Sequence, residues 1–320
     1  MTLGCLMVDV AGRALLPGDR ELLEHPLVGG VILFSRNYES PAQLAALTAE
    51  IRALRTPRLL LAADHEGGRV QRFRPEFTLL PPMRRLGREY DMDAARGREL
   101  ARDAGWLLAA ELRAFGLDLA FAPVVDLEYG VSEVIGDRAL HADADAVALP
   151  VDRRRYQDLT ADLTPYRRLI ANGLPSVMMA HVVYPEVDAL PASLSRRWVG
   201  DILRGELDFQ GAVFTDDLSM AGAAAFGGVL ERARLALEAG CDMLPVCNSR
   251  PSVQLLLERL EARPGPASAL RLARLHGREP ATELATPELL RASARWRHAH
   301  ATLARARDER PELWLDGEAS

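Results

Sequence analysis

The chain contains seven short apolar runs that lack the strict apolar–polar alternation of a strand with one solvent-facing side. Runs of this kind are typical of strands buried on both faces, as in a parallel sheet. We therefore predict a β-strand within each run, at residues 3–10, 30–34, 58–63, 117–127, 176–183, 212–215 and 241–247.

Segments with helical spacing of apolar residues separate most of these runs. The segment 41–54 follows Ser40, an N-cap type of residue, and the segment 94–115 ends before Gly116, a common residue just past a helix. Further helices are predicted at residues 152–170, 198–207, 229–239, 253–262, 267–275 and 287–306.

The repeated order of strand and helix indicates βαβ units and a parallel sheet. A doubly wound open sheet would carry a glycine-rich phosphate turn after an early strand, and Gly67-Gly68 do not form that motif. In a barrel, the carboxyl ends of all strands meet at one mouth. Polar residues follow the predicted strands at these ends, so we predict a TIM-type (β/α)₈ barrel whose mouth is lined by Asp9, 35–37, 64–66, Asp126, His181, 216–217 and Asn248.

One strand of the eight is missing from this pattern. Between residues 127 and 176, only residues 147–151 resemble a strand, and the rest is polar and rich in Arg and Asp. We predict that the fifth strand and its loop are absent. The whole chain, 1–320, is predicted to form a single domain, with the barrel at 1–250 and capping helices at 251–320.

Composition excludes several functional classes. The net charge of −6 gives no basic surface for nucleic acid. No apolar stretch is long enough to span a membrane, and no signal peptide is visible, so we expect a cytoplasmic protein. The three cysteines are too few for a disulfide framework and lack zinc-binding spacing. All 39 basic residues are arginine, and lysine is absent.

Several motifs occur in the order found in one enzyme family. The two most specific are DHEGGRVQRF at 64–73 and FTDDLSM at 214–220. With them, the chain resembles the bacterial β-N-acetylglucosaminidase branch of glycoside hydrolase family 3. Further matching segments lie at 25–30, 33–38, 121–126, 135–138, 180–182, 191–195 and 239–242, with a weaker match at 293–296.

The resemblance implies a retaining glycosidase without metal or organic cofactor. Asp216 matches the family's nucleophile, and Asp64, Arg72 and Arg138 match positions that hold the non-reducing sugar. His181 follows another strand and is a further candidate for sugar binding, although a histidine there can equally be a hydrogen-bonded core residue. Read without the family, 216–217 could instead cap a helix.

The chemistry of these residue types fits the roles. A retaining glycosidase needs a carboxylate that attacks the anomeric carbon and a proton donor for the leaving oxygen. Asp216 directly follows an apolar strand, which can hold the carboxylate rigidly. A carboxylate such as Asp64 accepts charge-assisted hydrogen bonds from sugar hydroxyls, and the arginines offer forked donors.

The chain departs from the family at its acid/base segment. Family members carry a Lys-His-containing strand end and then a loop with an Asp-x-His dyad, and the match here passes from 141–143 directly to 152–154. Three explanations stay open: a segment lost from this sequence, a natural deletion, or a substitute acid. Candidates for a substitute are Glu133, Asp137 and His141.

Three functions therefore compete. The first is an exo-acting β-N-acetylhexosaminidase acting on peptidoglycan fragments, as a monomer or weak homodimer. The second is a catalytically impaired sugar-binding homologue. The third is a β-glucosidase-like enzyme, which is disfavoured because such enzymes commonly carry a Trp where Asp217 stands.

Overall fold

Parallel strands form the wall of a barrel in the computed structural model, which describes residues 2–126, 136–139, 151–277 and 284–309. Seven strands of this wall lie within those ranges, and each falls on one of the predicted apolar runs. They are β1 (Leu6–Asp9), β2 (Val28–Leu33), β3 (Leu60–Ala63), β6 (Leu119–Ala120), β7 (Ser176–Met179), β8 (Ala212–Thr215) and β9 (Leu244–Val246). A short antiparallel pair, β4 (His65–Gly67) and β5 (Val70–Gln71), follows β3.

The strand pairing runs almost completely round the barrel. Five strands are hydrogen-bonded in the order β6-β3-β2-β1-β9, and β7 pairs in parallel with β8. A bridge between Phe214 and Met243 connects the two groups, and the Thr215 amide donates to the Met243 carbonyl at 3.1 Å. The predicted barrel is confirmed.

Strands β6 and β7 are not paired with each other. Within the described ranges no strand lies between these two, and because residues 127–135 and 140–150 of this stretch lie outside those ranges, the loss of the fifth strand stays a prediction. Val151 forms a single bridge with Val183, and residues 147–150 of the weak strand pattern lie outside the described residues. We call the gap between β6 and β7 the seam. Strands β1, β2, β3, β8 and β9 are fully buried, whereas both residues of β6 and three of the four in β7 are half-exposed.

Helices surround the wall and extend beyond it. Their bounds are α1 (Pro17–Glu24), α2 (Pro41–Ala53), α3 (Met83–Met92), α4 (Ala94–Ala114), α5 (Thr160–Ala171), a π-type helix (Arg197–Glu206), α6 (Val229–Ala239), α7 (Arg250–Arg259), α8 (Pro266–Leu275), α9 (Pro287–Ala292) and α10 (Ala294–Glu309). The helix α2 begins as predicted, because the Ser40 hydroxyl oxygen accepts from the Gln43 amide at 3.2 Å. No helix of the described residues is long and apolar enough to cross a membrane.

Three helix predictions need correction. Residues 152–155 are not helical, because the Arg154 guanidinium ties Asp152 to Asp162 and the Asp152 amide donates to Val183. The predicted helix at 287–306 is two helices that meet at Ser293. The helices α1 and α3 were not predicted from the apolar spacing.

The last two helices, α9 and α10, pack against α3 and α4. Helix α10 lies on α4, where Ala299, Leu303 and Ala306 form one apolar cluster with Leu100 and Leu107. The Arg85 guanidinium, almost fully buried on α3, pairs with Glu89 at 2.6 Å and donates to the α10 backbone carbonyl of residue 306 at 3.0 Å. The helices α9 and α10 are therefore joined to α3 and α4 by both apolar and charged contacts.

Candidate active site

The backbone around Asp216 fixes where its carboxylate stands. Strand β8 ends at the buried Thr215, and the Asp216 amide donates to the Met179 carbonyl of β7 at 2.9 Å. The Asp217 amide donates to Asp216 Oδ1 at 2.8 Å. Both contacts hold the Asp216 side chain at the carboxyl end of the strands, which is the mouth of the barrel.

The surroundings of Asp216 have opposing effects on the pKa of its carboxyl. Burial among protein atoms raises the pKa of its carboxyl above the usual range, and the His181 ring, the Asp217 amide and the Arg138 guanidinium oppose that rise. The side chain is nevertheless partly exposed to solvent. The carboxylate is thus poorly hydrated but reachable from the mouth, which suits a nucleophile.

The carboxylate of the neighbouring Asp217 accepts hydrogen bonds from the turn in which this residue lies. Its Oδ1 accepts from the Ser219 amide at 2.8 Å and from the Cys247 amide at 3.1 Å. The Ser219 hydroxyl also donates to Asp217 Oδ2 at 2.8 Å. The two aspartates of the motif therefore differ: Asp217 closes a turn against the end of β9, and Asp216 faces the mouth.

A first ion pair at the mouth joins Asp64 to Arg72. Arg72 Nη2 lies 2.7 Å from Asp64 Oδ2, and both side chains are about one-quarter exposed. The Arg72 guanidinium also lies over the Phe34 ring, 5.4 Å from its centroid. Because both partners keep contact with solvent, the pair presents donors and acceptors to a ligand.

A second ion pair joins Glu66 to Arg138. Arg138 donates from Nε to Glu66 Oε2 at 2.8 Å and from Nη2 to Glu66 Oε1 at 2.7 Å, a bidentate arrangement. Burial opposes the charged form of Arg138, but the Glu66 hydrogen bonds and the charges of Asp64 and Asp216 outweigh it and raise the arginine pKa. The guanidinium therefore stays charged within the field of Asp216.

His181 is buried, with both ring nitrogens bonded to protein. Nδ1 lies 2.6 Å from the Ser193 hydroxyl oxygen, and Nε2 lies 3.0 Å from the Asp217 carbonyl oxygen. Nε2 must carry a proton to donate to that carbonyl. Sequence reasoning did not identify Ser193 as its partner, because the two residues are brought together only by the loop after β7.

The seam side of the mouth carries a separate polar group. The Tyr166 hydroxyl of α5 donates to Asp126 Oδ1 at 2.8 Å, and burial raises the pKa of Asp126 while this hydrogen bond lowers it. Of the three candidate substitute acids, Asp137 pairs with Arg69 at 2.9 Å. Glu133 and His141 lie outside the described residues.

Two further features bear on ligand chemistry. Glu99, Asp103 and His298 place possible metal-ligand atoms within 4.8 Å of one another, on α4 and α10 and outside the mouth, where Arg295 already pairs with Asp103 at 2.6 Å. The three cysteines are buried and unbridged. The possible metal ligands lie apart from the group around Asp216, whereas Cys247 adjoins it through the hydrogen bond from its amide to Asp217.

Comparison with known proteins identifies the family. The model of the glycosyl hydrolase family 3 N-terminal domain matches residues 6–149 and 145–270. A β-hexosaminidase of Thiobacillus denitrificans is 52% identical, covering 93% of each chain, and one of Thioalkalivibrio sulfidiphilus is 48% identical, covering 99% of this chain and 100% of the relative. The crystal structure of NagZ from Neisseria gonorrhoeae with N-trifluoroacetyl-D-glucosamine superposes with a TM-score of 0.88 at 37% identity, covering 96% of this chain and 98% of that one.

The alignments also locate a deletion. The Thioalkalivibrio alignment spans 353 positions against the 320 residues of this chain, so at least 33 residues of the relative have no counterpart here. The family model matches in two pieces that meet at 145–149, next to the residues that border the seam. With matches on both sides of this interruption, from residue 6 to residue 270, the chain belongs to glycosyl hydrolase family 3.

Proposed function

We propose that the chain is a retaining, exo-acting β-N-acetylhexosaminidase that removes terminal N-acetylglucosamine. The observation that carries the proposal is the position of Asp216 at the mouth, in the field of the Glu66-bound Arg138 and close to the end of β7. The names of the relatives, β-hexosaminidase and NagZ, support the substrate class.

Asp216 is proposed as the nucleophile. Its carboxylate oxygen forms a bond to the anomeric carbon while the bond from that carbon to the leaving oxygen breaks, and the leaving oxygen takes up a proton. Water then attacks the same carbon, releases the Asp216 carboxylate and loses a proton to solvent or a base. Arg138 stabilises the carboxylate in the free enzyme and holds a charge near the reacting centre.

The two ion pairs are proposed to bind the sugar. Asp64 accepts hydrogen bonds from hydroxyl groups, and Arg72 and Arg138 donate to hydroxyl or acetamide oxygens. His181 has both nitrogens engaged, so we assign it to holding the Asp217 carbonyl, and with it the turn that follows Asp216. In this role His181 supports the nucleophile without touching the sugar.

The deletion favours a second candidate, a sugar-binding homologue with weak catalysis. Loss of a general acid typically costs about 10²–10⁴ in rate, and the missing residues lie where the family carries its acid/base dyad. The sugar-binding pairs are unaffected by this loss. Binding and catalysis are therefore expected to be damaged unequally.

Leaving groups of different acidity separate the two candidates. An aryl glycoside such as 2,4-dinitrophenyl N-acetylglucosaminide needs no proton donor, whereas the methyl glycoside does. Turnover of the aryl substrate with very slow turnover of the methyl substrate supports a nucleophile without its acid. Absence of aryl turnover, with N-acetylglucosamine still raising the melting temperature, establishes the binding protein instead.

The biological setting is proposed from the same resemblance. Peptidoglycan fragments that end in N-acetylglucosamine are the proposed natural substrates, and we propose the cytoplasm as the site of their recycling. Incubation with purified fragments, followed by chromatography for released N-acetylglucosamine, tests the substrate assignment. Release from chitobiose but not from these fragments would contradict it.

A further inference from the structure

The side chain of Gln71, the residue directly before Arg72, hydrogen-bonds to backbone groups of the segment that follows Arg72. Gln71 Nε2 donates to the carbonyl oxygens of Phe73 and Thr78, each at 3.0 Å. Its Oε1 accepts from the Leu80 amide at 3.0 Å. Because Gln71 and Phe73 flank Arg72, the conformation of 73–80 determines where the Arg72 backbone lies.

Residues 73–80 are in turn fixed by a buried carboxylate on α4. The Thr78 amide donates to Glu111 Oε2 at 3.0 Å, and the Thr78 hydroxyl donates to Glu111 Oε1 at 2.5 Å. Glu111 and Thr78 are both buried. A buried carboxylate keeps its hydrogen-bond donors firmly, since an unsatisfied oxygen there would be costly.

The third donor to Glu111 comes from the C-terminal helix. Trp296 Nε1 on α10 donates to Glu111 Oε1 at 2.8 Å, and Arg291 on α9 donates to the Glu76 carbonyl in the same segment. The indole is half-buried and stacks on His300, with ring centroids 4.6 Å apart. A continuous series of hydrogen bonds therefore runs from α10 through α4 to the residues around Arg72.

We propose that Trp296 and Glu111 are positioning residues for sugar binding, acting through Thr78 and Gln71 on Arg72. The inference rests on the proposed function for the role of Arg72. It gives the helices after the barrel a part in substrate affinity, although they lie outside the mouth. The Trp296 indole N–H orients Glu111, and Glu111 sets the conformation of 73–80.

The first test replaces one donor at each end of the series. Thr78→Val removes a donor while keeping the side-chain shape, Trp296→Phe removes the indole N–H while keeping an aromatic ring, and Thr78→Ser keeps the hydroxyl. We expect the first two to raise KM for an aryl N-acetylglucosaminide about three- to tenfold with kcat within about twofold, and Thr78→Ser to restore KM. In the double variant the effects should be less than additive, since both act through Glu111.

Trp106→Phe provides the matched control. Trp106 is a half-buried tryptophan in the same α4–α10 cluster, and its ring lies under the Arg295 guanidinium, away from Glu111. Its replacement should leave KM unchanged while lowering the melting temperature by about as much as Trp296→Phe. An equal KM for both tryptophan variants would overturn the proposal.

A readout without sugar separates this proposal from the proposed function. Hydrogen exchange of the amides at 78–80 should accelerate in Trp296→Phe and stay unchanged in Trp106→Phe, whether or not the chain is active. Absence of aryl turnover in the parent would count against the hydrolase assignment alone. Unchanged exchange in Trp296→Phe would sink the positioning role alone.

Discussion

The two sides of the barrel differ in how completely they are built. On the side of β1, β2, β3 and β9, every strand residue is buried, β1, β2 and β3 each have two strand neighbours, and the Phe214–Met243 bridge connects the β9 end to β8. On the seam side, β6 and β7 each have one strand neighbour within the described ranges and are largely half-exposed. Helix α5, which borders the seam, has no buried residue.

The chemistry follows the same division. Asp64, Glu66 and Arg72 follow β3 on the complete side of the wall, whereas Arg138 follows β6 and is paired with Glu66. Asp216 follows β8, which is fully buried and pairs with β7. The two pieces of the family match meet at 145–149, between β6 and β7, where the resemblance implies an acid/base segment. The proposed sugar-binding residues Asp64 and Arg72 and the proposed proton donor therefore belong to different parts of the wall.

The largest effect is expected from the nucleophile itself. Asp216→Ala removes the atom that bonds to the anomeric carbon, so turnover of an aryl N-acetylglucosaminide should fall on the order of 10⁴-fold or more. Affinity for N-acetylglucosamine, measured by calorimetry, should change only a few-fold. Added azide should restore turnover and give a glycosyl azide of inverted stereochemistry. Near-normal activity in this variant would exclude Asp216 as nucleophile.

The next effect comes from closing the seam. We expect the Thioalkalivibrio relative's unmatched residues, inserted between 143 and 152, to supply the strand and the proton donor that the resemblance implies. The rate on the methyl glycoside should rise about 10²–10⁴-fold, with little change for the dinitrophenyl substrate. A Gly/Ser insertion of equal length serves as the control, and an equal gain from it would contradict the assignment.

Replacing one leucine on each side of the barrel compares how much packing on the two sides contributes to the free energy of unfolding. Leu61 in β3 is fully buried, and Leu119 in the neighbouring β6 is half-exposed. Leu61→Ala should cost about 2–5 kcal/mol of unfolding free energy, and Leu119→Ala only about 1 kcal/mol, because little burial is lost. Urea titration of both variants gives the comparison. Equal costs would mean that the seam is packed as tightly as the rest of the wall.

The smallest expected effect is a stability gain at Asp216. Because burial raises the pKa of this carboxyl in the folded state, stability falls as pH rises from the unfolded value near ~3.9 through the raised folded value. Asp216→Asn lacks this penalty, so its melting temperature at pH 7 should exceed the parent's by roughly 1–3 °C. Below about pH 3.5 the difference should vanish. A difference independent of pH would point to another cause.

Much of the fold on the two sides of the barrel could be predicted from the sequence. Each of the seven apolar runs contains a strand, since runs of Leu, Val, Ile and Ala without alternation suit burial on both faces. The gap before residue 176 was visible as a lack of any comparable run. Helix ends were predicted well where a cap is present, as at Ser40, and poorly at 152–155, where Arg154 pairs with the carboxylates of Asp152 and Asp162.

The sequence by itself determined the parallel wall and the family of the chain, because apolar runs and ordered motifs are local properties. The tertiary structure decided which polar residues hydrogen-bond to one another. It separated Asp216 from Asp217, turned both nitrogens of His181 toward protein groups, and joined Trp296 to Thr78 through Glu111. Such contacts depend on the positions in space of strands and helices that are far apart in the sequence. Local sequence patterns do not determine those positions.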